Sequence, residues 1–323
     1  AITEVRDHVI RVRGHDLIEL ARRHTPYEAV ASLVLSGRPQ PPAGWERDRA
    51  ATARLQAIQA ALPPDAPLLD RIRANVVAVS AADPLRRDVR RDAVLQAAAP
   101  LVAAMVDGLP GAATRGRLAA RLWPALTATA ATERWVGALN GALVLLVDHD
   151  LAASTFAARV AASTRADPYS VVLAALGAFA GARHGAASGA VHDLLHVAAA
   201  GQAGPVVASR LAGGDQLAGF GHPLYPDGDP RARVLLDLVR DAAGDDPRLA
   251  VCEEVLELVR RRTGVEPNVD FGLATLTFCA GMPRDAGEAV FATARAAGWL
   301  AHAIEEYDEE PLRFRPVTRY VGT

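Results

Sequence analysis

Along the chain, apolar residues recur at the three- and four-residue spacing of helices, and β-branched residues rarely alternate with polar ones. Alanine is abundant, which adds helix propensity to that pattern. The longest apolar runs, 94–106, 135–147 and 171–182, read as buried helices. All three are shorter than the roughly 18–20 residues that cross a bilayer. Thr25-Pro26-Tyr27-Glu28 predicts a helix start, with threonine as cap, proline at the first helical position and glutamate reaching back. Val30, Leu33 and Val34 form its stripe and Gly37 its stop. Asp167-Pro168 starts the segment 169–182. Val191, Leu194, Leu195 and Ala198 repeat at helical spacing, as do Val251, Val255, Leu258 and Val259 before Gly264. Stretches rich in Gly, Pro or Asp, at 38–45, 62–67, 107–114, 219–231 and 264–268, read as loops. The expected fold class is all-α, or mainly α.

The 323 residues suffice for one large domain or two modest ones. Hydrophobic residues make up 50% and charged residues 22%, which places the chain among folded globular proteins. The 35 cations are all arginine and face 37 acidic residues, so no basic field exists to hold nucleic acid or an anionic membrane. Two cysteines, Cys252 and Cys279, are too few for a disulfide framework or a four-cysteine metal site. A reducing cytoplasm is the expected compartment, since no secretory start is seen. P-loop, dinucleotide-binding and G-x-S-x-G signatures are missing from the sequence.

Several polar residues stand where an apolar helical protein would not obviously put them. His184, in GARHGAASGAVHDLL, lies among small residues at the mouth of a helix, where its imidazole can meet a substrate oxygen in the neutral form. A capping or core histidine is the plainer alternative. His222, in GFGHPLYPDGDPR, sits on a loop that glycines bend and prolines stiffen, with a solvated loop histidine as the alternative. Arg231 can clamp a carboxylate or pair with Asp229 at the surface. Asp270, in EPNVDFGLATLTF, opens an apolar helix, either as a first-turn aspartate favoured by the dipole or as a half-buried base. Arg295 interrupts the apolar run from Val290 to Ala301 and calls for an anionic partner, a bound ligand among the candidates. His192 and His196 stand four apart, a spacing that suits a metal, but the zinc-protease glutamate is not there and a polar helix face is expected. The cluster Glu305, Glu306, Asp308, Glu309, Glu310 reads as a solvated face.

Taken jointly, these segments resemble the citrate synthase family, in the same order and at compatible spacing over nearly the whole chain. RHGAASGAV resembles the first catalytic histidine segment, GFGHPLYPDGDPRA the second, and PNVDF the catalytic aspartate segment. The opening VIRVRGHDLIELARRHTPYEAVASLVLSGRP and the stretch DHDLAASTFAARVAASTRADPYS are similar to the family's corresponding regions. The resemblance implies a helical homodimer with a large domain, 1–186 plus 286–323, and a small domain, 187–285, around a cleft. It implies a Claisen condensation of acetyl-CoA with oxaloacetate, followed by thioester hydrolysis. Asp270 is then the base, His184 the donor to the thioester oxygen, and His222 the donor to the ketone. Arg231, Arg295 and His149 would hold the oxo acid, joined by Arg315 from the opposite subunit. Acyl-CoA enters as a substrate, and no metal or other cofactor is expected.

Departures from the family pattern accompany the resemblance. Ser188 and Ala152 stand where family members commonly carry asparagine. Pro223 and Pro226 stand where a basic HRVYK-like stretch favours coenzyme A phosphates. A 2-methylcitrate synthase using propionyl-CoA, and a non-catalytic dicarboxylate-binding paralogue, are therefore the rival expectations.

Overall fold

The computed structural model describes residues 2–6, 8–39, 44–182, 184–213, 217–317 and 319–322. The chain opens with an antiparallel sheet of β1 (Thr3–Arg6), β2 (Val9–Val12) and β3 (His15–Asp16), in which Thr3 pairs with Val12 and Arg11 with Asp16. The helical period misses this sheet. Its strands are four residues or fewer, too short for alternation to stand out, yet Ile10 and Val12 point inward and are fully buried while Arg11 is not.

Helices make up the rest. α1 (Leu17–Arg22), α2 (Tyr27–Ser36), α3 (Arg49–Ala61), α4 (Leu68–Ala82) and α5 (Arg91–Asp107) come first. α6 (Leu118–Leu126), α7 (Glu133–Leu146), α8 (Ala153–Ser163), α9 (Pro168–Phe179) and α10 (Ala187–Val197) follow. α11 (Ala203–Ala212), α12 (Pro230–Ala243), α13 (Pro247–Thr263), α14 (Val269–Cys279) and α15 (Ala286–Tyr307) complete the set. α5, α7 and α9 fall on the three long apolar runs. None of the described helices is long and apolar enough to cross a membrane.

Caps set several of the boundaries. Asp167 accepts from the Ser170 N–H ahead of Pro168, and Asp246 and Asp229 cap α13 and α12 in the same way, each before a proline. Gly264, at φ +70°, closes α13 by giving its N–H to the Arg260 carbonyl. The expected cap of α2 is corrected. Pro26 itself precedes the helix, the Tyr27 N–H is taken by the Asn140 side chain at 2.9 Å, and Glu28 reaches the Leu118 N–H instead of back along its own chain.

α15 organises the molecule. Its 22 residues span about 33 Å, and all but Glu288 and Glu305 are buried, the mark of a helix apolar on every side that other elements must surround. It packs against α2, α4, α5, α7, α8, α9, α10 and α14. α14 in turn packs on α10 and α12, and α12 on α7. The acidic cluster after Ile304 is not simply a solvated face. Glu306 is fully buried, held by Arg159 at 2.9 Å and by two 2.6 Å bonds from Arg313.

Candidate active site

His184 lies in the turn between α9 and α10, whose tightness depends on Gly185. A Cβ there would meet the Phe179 ring at 2.4 Å and its carbonyl oxygen at 2.6 Å, while the Gly185 N–H bonds that carbonyl at 2.8 Å. The His184 ring rests against Phe179 and Phe291. Its Nε2 lies 2.7 Å from Ser154 Oγ, and Ser154 Oγ accepts from Trp299 Nε1 at 3.2 Å. An indole N–H can only donate, so the serine proton is free to go to Nε2, and in that tautomer the histidine proton sits on Nδ1 as an available donor. Burial, reinforced by the charge of Arg295, lowers the His184 pKa to about 4, so the ring is neutral.

His222 sits on a loop clamped to the start of α14. Gly221 donates to the Glu266 carbonyl, Asn268 donates its backbone N–H to the Gly219 carbonyl and its side chain to the Gly221 carbonyl, all at 2.8–2.9 Å. Gly219 has φ +84°, and a Cβ there would strike Val191 at 2.6 Å. The Leu224 N–H donates to His222 Nδ1 at 3.2 Å, which places the proton of the neutral ring on Nε2. Burial and then Arg231 lower the pKa of this ring too.

Asp270 occupies the first turn of α14, its N–H held by Asn268 Oδ1 at 3.0 Å. Its Oδ1 is buried and unpartnered, and desolvation, with Asp229 adding, raises its pKa to about 6 against the opposing pull of Arg231 and Arg295. A carboxylate so placed suits proton abstraction near neutral pH better than an ordinary first-turn aspartate.

Two arginines face it. Arg231, 2% exposed, is paired with Asp229 through bonds of 3.0 and 2.8 Å, so the pair foreseen at the surface is buried. Arg295, 1% exposed, has no carboxylate within ion-pair distance among the described residues. Its Nε donates to the Leu146 carbonyl at 2.7 Å and its guanidinium lies 4.8 Å from the Phe291 ring centre. Burial lowers its pKa to about 10, a measure of how much an anion beside it would gain. Arg295 acts electrostatically on His184, His149 and Asp270, and Arg231 on His149, His222 and Asp270. The two histidines, the aspartate and both arginines are therefore within electrostatic reach of one another.

His149 belongs to the same group, with its ring 5.4 Å from that of His222 and its pKa depressed first by burial and then by Arg231 and Arg295. Its Nε2 lies 2.7 Å from Tyr225 Oη. Tyr225, Ser154 and Trp299 were not singled out by sequence, and Asp229 only as a surface partner of Arg231. Tyr225 lay in view within HPLYPDG, but nothing local marks Ser154 or Trp299, whose roles exist only through contacts 30 and 145 residues away. Arg315 is exposed beyond α15 and is not among the residues gathered at this site of its own chain. Ser188 is buried with its hydroxyl unpartnered, and Ala152 precedes α8 without a side-chain cap.

The family model described as citrate synthase, C-terminal domain, matches residues 1–317. The chain belongs to the citrate synthase family. Its similarity to the citrate synthase of Haloferax volcanii is 39% identity over 186 residues, 56% of this chain and 49% of that protein. To the 2-methylcitrate synthase of Mycobacterium tuberculosis it is 29% identical over 331 residues, covering 96% of this chain and 84% of that one. The chain spans about half the length of the first of its curated relatives in such matches. Among solved structures, the citrate synthase of Thermotoga maritima superposes with a TM-score of 0.78 at 26% identity, over 100% of this chain and 92% of that one. That of Thermoplasma acidophilum, solved as a ternary complex with carboxymethyl coenzyme A and oxaloacetate, reaches 0.82 at 24% identity over 100% and 93%, and shares the fold.

Proposed function

We propose that this chain catalyses the citrate synthase reaction, joining acetyl-CoA to oxaloacetate and hydrolysing the resulting thioester to citrate and CoA. The observation that carries the proposal is Arg295, a buried cation with no carboxylate within ion-pair distance among the described residues, near Asp270, a carboxylate whose pKa is raised to about 6. That combination suits an anionic substrate bound beside a general base.

In this reading Asp270 removes a methyl proton from the thioester, and His184 Nδ1–H donates to the thioester oxygen so that charge on the forming enol is met by a hydrogen bond. The enol carbon attacks the ketone of oxaloacetate while His222 Nε2–H donates to the ketone oxygen, giving an alcohol. Water then cleaves the thioester, releasing CoA. Arg231, Arg295 and His149 hold the dicarboxylate, with Arg315 completing the pocket from the second subunit of a homodimer. Neither a metal nor a redox cofactor is called for by these steps. Closure of a small domain, 187–285, over the remainder would exclude water during condensation. The cytoplasm is the proposed compartment.

The similarity to 2-methylcitrate synthases supports propionyl-CoA as a second donor, since one methylene changes binding by only about 1–3 kcal/mol. Release of free thiol on mixing the protein with oxaloacetate and acetyl-, propionyl- or longer acyl-CoA tests the reading and ranks the donors. A shift of melting temperature by oxaloacetate without thiol release from any donor would favour a dicarboxylate-binding paralogue instead.

A further inference from the structure

We propose that His192 and His196 form a two-imidazole site for a borderline divalent transition-metal ion, of the class of Zn2+ or Cu2+, on the C-terminal half of α10. The two residues are four apart on one helix, and their ring centres are 4.6 Å apart. The polar helix face expected from the sequence is not what the structure has. His196 is exposed, but His192 is only 3% exposed, and neither of its ring nitrogens makes a hydrogen bond among the described residues.

An unpaired polar group in that position costs about 1–3 kcal/mol, and a ligand that bonds one nitrogen removes the cost. Burial, then the neighbouring His196, disfavours the protonated His192 ring, and a metal needs only the lone pair of the unprotonated one. The backbone of Met282 pulls the other way as a nearby acceptor that falls short of a formed bond. Such an acceptor is what the second nitrogen of a metal-bound imidazole ordinarily has, and a small ring movement would complete it. Phe278 closes the apolar side, its ring centre 6.0 Å from His192 and 5.0 Å from His196.

Two imidazoles suit Zn2+, Cu2+ or Ni2+ and not Mg2+ or Ca2+, which favour oxygen ligands. The nearby Asp193 is held by Arg284 at 2.8–2.9 Å, and no cluster of three or more ligating side chains exists among the described residues, so water fills the remaining positions. The site is separate from the candidate active site, although the same helix begins three residues after His184.

The test is titration of the whole protein with Zn2+ by calorimetry and with Cu2+ by electron paramagnetic resonance. Wild type is expected to bind one equivalent that His196→Ala lacks, and the Cu2+ spectrum of wild type to show coupling to two ring nitrogens where the variant shows fewer. Zn2+ should raise the melting temperature of wild type and not that of His196→Ala, an exposed position whose loss leaves the fold intact. His192→Leu should lose the same equivalent and melt higher than wild type without metal. Unchanged stoichiometry and spectrum in His196→Ala, meaning that the ions sit only on scattered imidazoles such as His8, His15 or His24, would overturn the proposal.

Discussion

Asp270 shows how one side chain links stability to reactivity. A carboxyl whose pKa is about 6 in the fold, against about 4 in the unfolded chain, binds its proton more tightly when folded. Folding stability therefore falls as pH rises from about 4 to about 6, and above that the penalty is constant. It amounts to no more than about 3 kcal/mol, and less where water reaches the carboxylate. Asp270→Asn should thus melt higher than wild type at pH 7.5, with the difference vanishing near pH 4, while thiol release collapses. A lower melting temperature for this variant at pH 7.5 would contradict the burial argument. In wild type, kcat/KM should rise with pH through an apparent pKa near 6. His184, with a pKa of about 4, is already neutral across that range and adds no limb there. His184, His222 and Arg295 drew notice because each breaks a local rule, a charge in an apolar run or a histidine among glycines, whereas Asp270, an ordinary first-turn aspartate by itself, gained its role only through the joint resemblance. Ser154 and Tyr225 break none, and what they do to His184 and His149 depends on residues remote in sequence.

At the scale of elements, Asp229 joins two helices that the site needs together. Its Oδ1 caps α12 through the Arg231 N–H at 3.0 Å, and its Oδ2 accepts from the Val269 N–H of α14 at 3.0 Å while both oxygens hold the Arg231 guanidinium. One carboxylate thereby sets the start of α12, the start of α14 and the orientation of Arg231. Asp229→Ala would leave a buried arginine without its partner and should cost about 3–5 kcal/mol in urea unfolding, as measured by the transition midpoint. A midpoint within error of wild type would show that the junction does not depend on this residue. The start of α9 was read from Asp167-Pro168, while those of α12 and α13 carry the same aspartate-proline signal but were not drawn from the sequence. The α14 contact has no such local signal, since it spans 40 residues. The opening sheet escaped for a different reason: strands this short carry too few positions for a period of two to outvote the helical pattern that follows.

For the molecule as a whole, α15 connects the interior to the segment proposed to act on a second copy. Glu306 near its end fastens Arg313, the Leu312 N–H bonds the Ser163 carbonyl at 2.9 Å, and from Arg315 onward the described residues are exposed. Beside this segment Leu151, Phe156 and Leu312 are 47–55% exposed, a group of apolar side chains that a second subunit would cover. If Arg315 completes the oxo-acid pocket of the opposite subunit, each site needs Asp270 from one chain and Arg315 from the other. Asp270→Asn and Arg315→Ala homodimers should then both be nearly inactive. Unfolding and refolding the two variants as a mixture should restore thiol release, because in a mixed dimer one of the two sites keeps both groups. The readout is activity after mixed refolding against each variant refolded alone, with dimer formation followed by light scattering. Arg315→Ala with wild-type KM for oxaloacetate, or a mixture no more active than its parts, would remove Arg315 from the pocket and leave Arg231 and Arg295 to hold the dicarboxylate within one chain.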